Sequence, residues 1–97
     1  MQLYAILRRN GFTSVEDLQE AAVRSTAAGD APNSGVRWIR SYVLDEESGE
    51  VGTLCLYEAD SPEAIRAHGA AAVLPVDEIT PVMDTVVVRP DPVATAA

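Results

Sequence analysis

The sequence predicts an α+β domain with four antiparallel strands and two helices in the chain order β-α-β-β-α-β. Four apolar runs rich in strand-forming residues end at turn residues, and two segments with helix-capping signals separate them. The length of 97 residues fits one domain, expected over residues 1–89 with a tail over residues 90–97. This order is that of the ferredoxin-like arrangement, in which two helices cover one face of the sheet.

One strand and one helix make up the first third of the chain. Residues 2–9 form an apolar run, and the Asn-Gly pair that follows predicts the end of the strand. Residues 13–29 predict a helix that is capped either by Thr13, at capping-box spacing, or by Ser14. Gly29 is the expected end of this helix, because glycine readily adopts the left-handed conformation found just beyond helices.

The middle of the chain predicts a β-hairpin with strands over residues 36–46 and 50–59. Ser48 and Gly49 are expected to form a two-residue turn between them. Because side chains alternate along a strand, this register puts one set on a single face: Trp38, Arg40, Tyr42, Cys55, Tyr57 and Ala59. The opposite face then carries Ile39, Ser41, Val43, Leu54, Leu56 and Glu58.

A second helix and a fourth strand complete the predicted domain. Ser61 is the expected cap and Pro62 the first helical residue, and the helix should end between Gly69 and Ala72. After a short loop, residues 79–88 form another apolar run and predict the last strand.

The second helix carries the single histidine of the chain. His68 and Ile65 are three residues apart, so His68 is expected to face the sheet. It would then meet the aromatic face of the hairpin across a space bordered by small residues. The sequence therefore predicts one ligand-binding concavity between helices and sheet, lined by Trp38, Arg40, Tyr42, Tyr57 and His68.

Charge and composition narrow the classes of function. The net charge is −8, and all seven basic residues are arginines without a basic patch, so nucleic acid and anionic membranes are not expected partners. No apolar stretch approaches the roughly 20 residues that span a bilayer, and the N-terminus does not resemble a signal peptide. A single cysteine cannot form an internal disulfide. We expect a cytoplasmic protein.

Both faces of the predicted sheet are largely apolar or aromatic. Helices cover one face of such a sheet, so a contiguous apolar patch on the other face calls for a partner. The apolar residues of the last predicted strand strengthen this expectation. The sequence therefore predicts a homodimer that packs through sheet faces or edges.

Four motifs resemble those of a known family. They are "VRWIRSYV" (36–43), "LCLYEA" (54–59), "SPEAIRAH" (61–68) and "LPVDEI" (74–79). In this order and spacing, together with the N-terminal strand and helix, they resemble a family of small ferredoxin-like αβ-barrel proteins whose named member is nickel-responsive and binds nickel. The resemblance covers nearly the whole chain. It implies a dimer of αβ-barrels and, in some members, bound nickel.

The metal ligands implied by the resemblance are only partly present. Cys55, Tyr57 and His68 match the family pattern, and both His68 and Cys55 are ligand types that suit nickel. Arg40 stands where such sequences often have histidine. A guanidinium stays protonated and cannot ligate a metal, so Arg40 argues against nickel and in favour of an anionic group nearby.

Three classes of function remain open from the sequence. The first is a small cytoplasmic binding protein for a metal ion or a small anionic or aromatic molecule. The second is a cofactor-light enzyme of the dimeric αβ-barrel kind, such as an oxygenase or cyclase acting on an aromatic substrate, an idea that rests on fold analogy. The third is a structural or regulatory dimer without a small-molecule site.

Overall fold

A computed structural model describes residues 1–31 and 33–92 of the chain. Its elements are β1 (Gln2–Phe12), α1 (Val15–Asp30), β2 (Val36–Asp45), β3 (Val51–Ala59), α2 (Pro62–Ala72) and β4 (Glu78–Pro81). This order confirms the predicted ferredoxin-like α+β fold.

The four strands form one antiparallel sheet in the order β2-β3-β1-β4. Alternate residues of the two central strands point toward the helices and are buried. With contributions from β2 and α2 they form the hydrophobic core: Tyr4, Ile6, Val36, Cys55, Tyr57, Ala59 and Ile65. We call the helix-covered side of the sheet the inner face and the opposite side the outer face.

Both helices begin at serine caps. The hydroxyl of Ser14 accepts a hydrogen bond from the backbone N–H of Asp17 at 3.2 Å, so Ser14, the second of the two predicted candidates, is the cap of α1. Ser61 caps α2 in the same way, and Pro62 is the first residue of that helix, as predicted. Helix α1 runs one residue past Gly29.

Strand β1 does not stop at the Asn-Gly pair, so its predicted end was wrong. The pairing with β3 is irregular between Arg8 and Phe12, and Asn10 has a φ of 49°. Asparagine tolerates this left-handed conformation better than most residues do. The pair therefore makes an irregularity within the strand instead of a turn after it.

The hairpin turn is one residue longer than predicted. The N–H of Gly49 donates to the carbonyl of Glu46 at 3.0 Å, and the N–H of Glu46 donates to the carbonyl of Glu50 at 3.3 Å. This is a three-residue loop in which Gly49, at a φ of 87°, takes the left-handed position. One extra loop residue moves the register by one and exchanges the two faces of β2.

A β-bulge at Ile39 moves the register of β2 a second time. Trp38 lies opposite Tyr57, whereas Arg40 lies opposite Leu56, which leaves Ile39 as the extra residue. Before the bulge, Trp38 is therefore on the inner face with Tyr57, as predicted.

Between the bulge and the hairpin turn, the predicted faces of β2 were wrong. Arg40 and Tyr42 lie on the outer face, opposite Leu56 and Leu54. Ser41 and Val43, predicted to turn away, lie on the inner face, opposite Cys55 and Thr53. The longer loop accounts for this exchange, because the bulge affects only the residues that precede Ile39.

Strand β4 is shorter than predicted and ends at Pro81. The N–H of Val82 still donates to the carbonyl of Leu3 at 2.9 Å, after which the chain leaves the sheet. Four large apolar side chains of the following segment are strongly exposed: Met83, Val86, Val87 and Val88. Residues 93–97 of the predicted tail lie outside the described residues. No helix of the described chain is both long and apolar enough to cross a membrane.

Candidate functional site

A cavity of about 570 Å³ lies between α1 and the inner face of the sheet, at the side of the β2–β3 hairpin. Apolar groups dominate its walls, and a few polar side chains lie among them. Helix α1 contributes Val15, Leu18, Gln19, Ala21, Ala22 and Ser25; the strands contribute Arg8, Phe12, Trp38, Ile39, Arg40, Ser41, Val43, Thr53, Cys55 and Tyr57; Leu74 follows α2.

Arg8 is the most unusual residue of the cavity wall. It follows Tyr4 and Ile6 along the inner face of β1 and is only 1% exposed. Its Nε donates to the carbonyl of Pro75 at 2.7 Å, while its Nη2 is buried without a hydrogen-bond partner. The guanidinium carbon lies 5.9 Å from the ring centre of Tyr57. In the described chain, ion pairs form at Arg9, Arg37 and Arg40, and none forms at Arg8.

A buried hydroxyl network connects Tyr57 with His68. The Tyr57 hydroxyl and Ser25 Oγ share a hydrogen bond of 2.8 Å, and Ser25 Oγ lies 3.1 Å from His68 Nε2. Burial raises the pKa of Tyr57 above its ordinary value. Burial also lowers the pKa of His68, and the positive charge of Arg8 lowers it further. His68 is therefore neutral at pH 7.

A second hydrogen-bond network runs along the hairpin. The indole N–H of Trp38 donates to Ser41 Oγ at 2.8 Å, and Ser41 Oγ donates to Cys55 Sγ at 3.0 Å. The Cys55 thiol in turn donates to Thr53 Oγ1 at 3.4 Å. Trp38 and Tyr57 stack with ring centres 6.0 Å apart and planes 6° apart. These hydrogen bonds satisfy the indole N–H of Trp38 and hold its exposed ring face in a fixed orientation.

Arg40 and Tyr42 belong to a separate cluster on the outer face. Arg40 Nη1 donates to the Tyr42 hydroxyl at 3.2 Å and to Asp91 at 2.9 Å, and the Tyr42 hydroxyl also donates to Asp91. The hydrogen bond to Tyr42 and the charge of Asp91 raise the pKa of Arg40, so it stays protonated. Arg40 borders the cavity, yet its guanidinium is engaged in this exposed ion pair.

The predicted ligand-binding residues are thus divided between the two faces. Trp38 and Tyr57 line the cavity, and His68 reaches it through Ser25. Arg40 borders the cavity, but its guanidinium lies with Tyr42 on the outer face, because the longer turn moves the register of β2 at their positions. Ile39 and Val43, expected to turn away, line the cavity, whereas Leu56 does lie on the outer face.

Arg8 was missed at the sequence level, although one signal pointed to it. Positions 4, 6 and 8 of a strand share a face, so an arginine that follows Tyr4 and Ile6 in that alternation has to point into the core. The predicted end of β1 close to Arg8 hid this signal.

Fold and cavity together define a ferredoxin-like α+β protein with a mostly apolar cavity between helix and sheet. The chain belongs to the family described as nickel responsive protein SCO4226-like, whose model matches residues 4–82. It is similar to the crystal structure of SCO4226 from Streptomyces coelicolor A3(2), with a TM-score of 0.70 and 21% identity over 87% of this chain and 99% of that chain. No curated protein matches the sequence.

The described residues of one chain do not fit a nickel ion. In residues 1–31 and 33–92, no three His, Cys, Asp or Glu side chains are placed to hold one metal. The two candidate ligands of the sequence, His68 and Cys55, are engaged with Ser25 and with the hydroxyls of the hairpin. Arg8 adds a positive charge whose effect already reaches His68. That charge would repel a cation and attract an anion.

Proposed function

We propose that this chain is a binding protein for a small, largely apolar aromatic molecule, which it takes into the cavity between α1 and the β2–β3 hairpin. The observation that carries the proposal is the cavity itself. Its volume of about 570 Å³ lies within the range of roughly 300–1,000 Å³ typical of ligand pockets. A compact two-ring aromatic molecule fits that space.

The stacked pair of Trp38 and Tyr57 supports an aromatic ligand. Tyr57 is buried, whereas Trp38 is 37% exposed and borders the cavity, so its ring has a surface available for stacking. Aromatic pairs in offset-stacked or edge-to-face contact contribute about 0.5–1.5 kcal/mol beyond simple burial. The small side chains of Ala21 and Ala22 on α1 leave the opposite wall open.

Fluorescence of Trp38 provides the test, because it is the only tryptophan of the chain. Titration with two-ring aromatic compounds, neutral and anionic, should change its emission saturably. Ala22→Phe should narrow the cavity and weaken binding at least tenfold. Ala67→Phe, on the exposed side of α2, makes the same change away from the cavity and should leave binding unaltered. The absence of a saturable change with any of these compounds would refute the proposal.

We also propose that two copies of the chain associate through the segment that follows β4. Met83, Val86, Val87 and Val88 are between 73% and 99% exposed, and they continue directly from an edge strand of the sheet. The partly exposed Leu54 and Leu56 on the outer face offer an apolar surface of the same chemistry on a second copy. An extended apolar segment beside a sheet edge is suited to strand addition.

The cytoplasm remains the proposed compartment. Cys55 is a free, buried thiol, and free thiols persist in reducing compartments. Fractionation of cells that express the protein would test this location, and recovery outside the cytoplasmic fraction would contradict it.

A further inference from the structure

Arg8 carries a charge that the described chain does not neutralise. It is 1% exposed, and its single hydrogen bond goes from Nε to the carbonyl of Pro75. Its Nη2 is buried without a hydrogen-bond partner among the described residues. A buried charge is costly unless it is paired and hydrogen-bonded, and arginine can offer five donors. Arg8 lines the cavity, so its guanidinium leaves an unsatisfied donor beside the cavity wall.

The nearby hydroxyl network supplies a further donor. His68 Nδ1 is buried without a partner, which favours the tautomer with its proton on Nε2, since an orphaned N–H is less tolerable than an orphaned lone pair. His68 Nε2 then donates to Ser25 Oγ, and Ser25 donates to Tyr57. This order leaves the hydroxyl proton of Tyr57 free to donate to a third group near Arg8.

We infer that the ligand of the cavity is an aromatic carboxylate, whose carboxylate group binds the Nη edge of Arg8 and the hydroxyl of Tyr57 while its rings stack on Trp38. This inference rests on the proposed function and specifies the chemical class of its ligand. A planar carboxylate matches a guanidinium edge, and its single charge balances that of Arg8. A doubly charged phosphate would require more donors than this mostly apolar cavity provides.

We assign Arg8, and not Arg40, as the anion-binding residue. Arg40 is half exposed and already pairs with Asp91 on the outer face. Arg9, the neighbour of Arg8, is exposed on the other side of β1 and pairs with Glu46 at 3.6 Å. Arg9 therefore serves as a matched control: its loss changes the net charge equally, at the adjacent position of the same strand.

The test compares 2-naphthoate with its neutral analogue 2-naphthamide by titration of Trp38 fluorescence. The parent protein should bind the carboxylate at least tenfold more tightly than the amide. Arg8→Met should reduce this preference to less than twofold, while Arg9→Gln should retain it. Because Arg8→Met removes a buried unpaired charge, it should remain folded in the absence of ligand.

The possible outcomes distinguish the carboxylate inference from the proposed function. Equal binding of naphthoate and naphthamide by the parent protein would overturn the carboxylate inference but leave the proposed function standing, and this comparison needs no variant. Retention of the preference in folded Arg8→Met would also overturn the assignment to Arg8. If neither compound changes the fluorescence, the proposed function fails, and the inference fails with it.

Discussion

The charge of Arg8 decides the chemistry of the cavity. Its nearest aromatic neighbour, Tyr57, offers only a ring face and a hydroxyl, and a cation–π contact compensates a buried guanidinium incompletely. His68 is kept neutral, so Arg8 gives the polar part of the cavity a net positive charge. The proposed site should therefore bind anions in preference to cations such as nickel.

His68 should make the protein less stable in mild acid. Burial and the charge of Arg8 lower its pKa below the ordinary value of 6.5, so near that pH the unfolded chain binds a proton that the folded protein excludes. The stabilising contribution is complete above the unfolded pKa and is lost as the pH falls through 6.5 toward the folded value. The loss is at most about 1.4 kcal/mol per pH unit.

Urea unfolding between pH 7.5 and 5.5 measures this effect. The midpoint of the parent protein should fall with pH, and His68→Gln, which keeps a donor near Ser25, should show a smaller fall. An identical fall in both proteins would show that His68 is not responsible.

The β2–β3 hairpin shows how much of the site the sequence could predict. Apolar and aromatic runs on either side of Ser48 and Gly49 identified both strands and the aromatic cluster, because that pattern is local. The face of Arg40 depended on the loop length, and the face of Trp38 depended also on the bulge at Ile39; each of these moves the register by one residue. No local pattern distinguishes a two-residue from a three-residue loop at Ser48 and Gly49 with certainty, so the positions of Arg40 and Tyr42 could not be derived.

Gly52 should be the glycine of this hairpin that is least tolerant of substitution. A Cβ atom there would lie 2.9 Å from the carbonyl oxygen of Arg8 and would overlap the carboxylate of Glu46. Gly52→Ala should therefore push β3 away from β1 and cost about 1–3 kcal/mol, as overpacking does.

Gly49→Ala is the matched control within the same hairpin. No atom lies within 4 Å of the added Cβ, so its cost comes from the positive φ alone and should be about 1 kcal/mol. Urea unfolding of both variants gives the comparison. A Gly52→Ala protein as stable as the parent would contradict the close approach of Arg8 and β3.

On the scale of the whole molecule, the ferredoxin-like order of elements followed from the sequence because strands, helices and caps are each encoded locally. The extent of β4 did not follow from the sequence. Residues 82–88 are as apolar as a strand, but in a single chain they have no neighbouring strand with which to pair beyond Val82. In the proposed dimer, a second copy would cover this segment.

Val87 should lie in the contact between the two copies of the proposed dimer. Light scattering of the parent protein at low micromolar concentration should give twice the mass of one chain. Val87→Asp should shift the protein toward the monomer, because a carboxylate would have to be buried in the contact. Val23→Asp, at a similarly exposed valine of α1, should remain a dimer. A monomeric parent protein would exclude this association.

A crystal structure of the protein with 2-naphthoate would show directly whether the carboxylate binds to Arg8. The carboxylate should lie within hydrogen-bond distance of an Nη nitrogen of Arg8 and of the Tyr57 hydroxyl, with the rings against Trp38. A naphthoate bound in the cavity with its carboxylate turned to solvent, or bound at Arg40 on the outer face, would contradict the account.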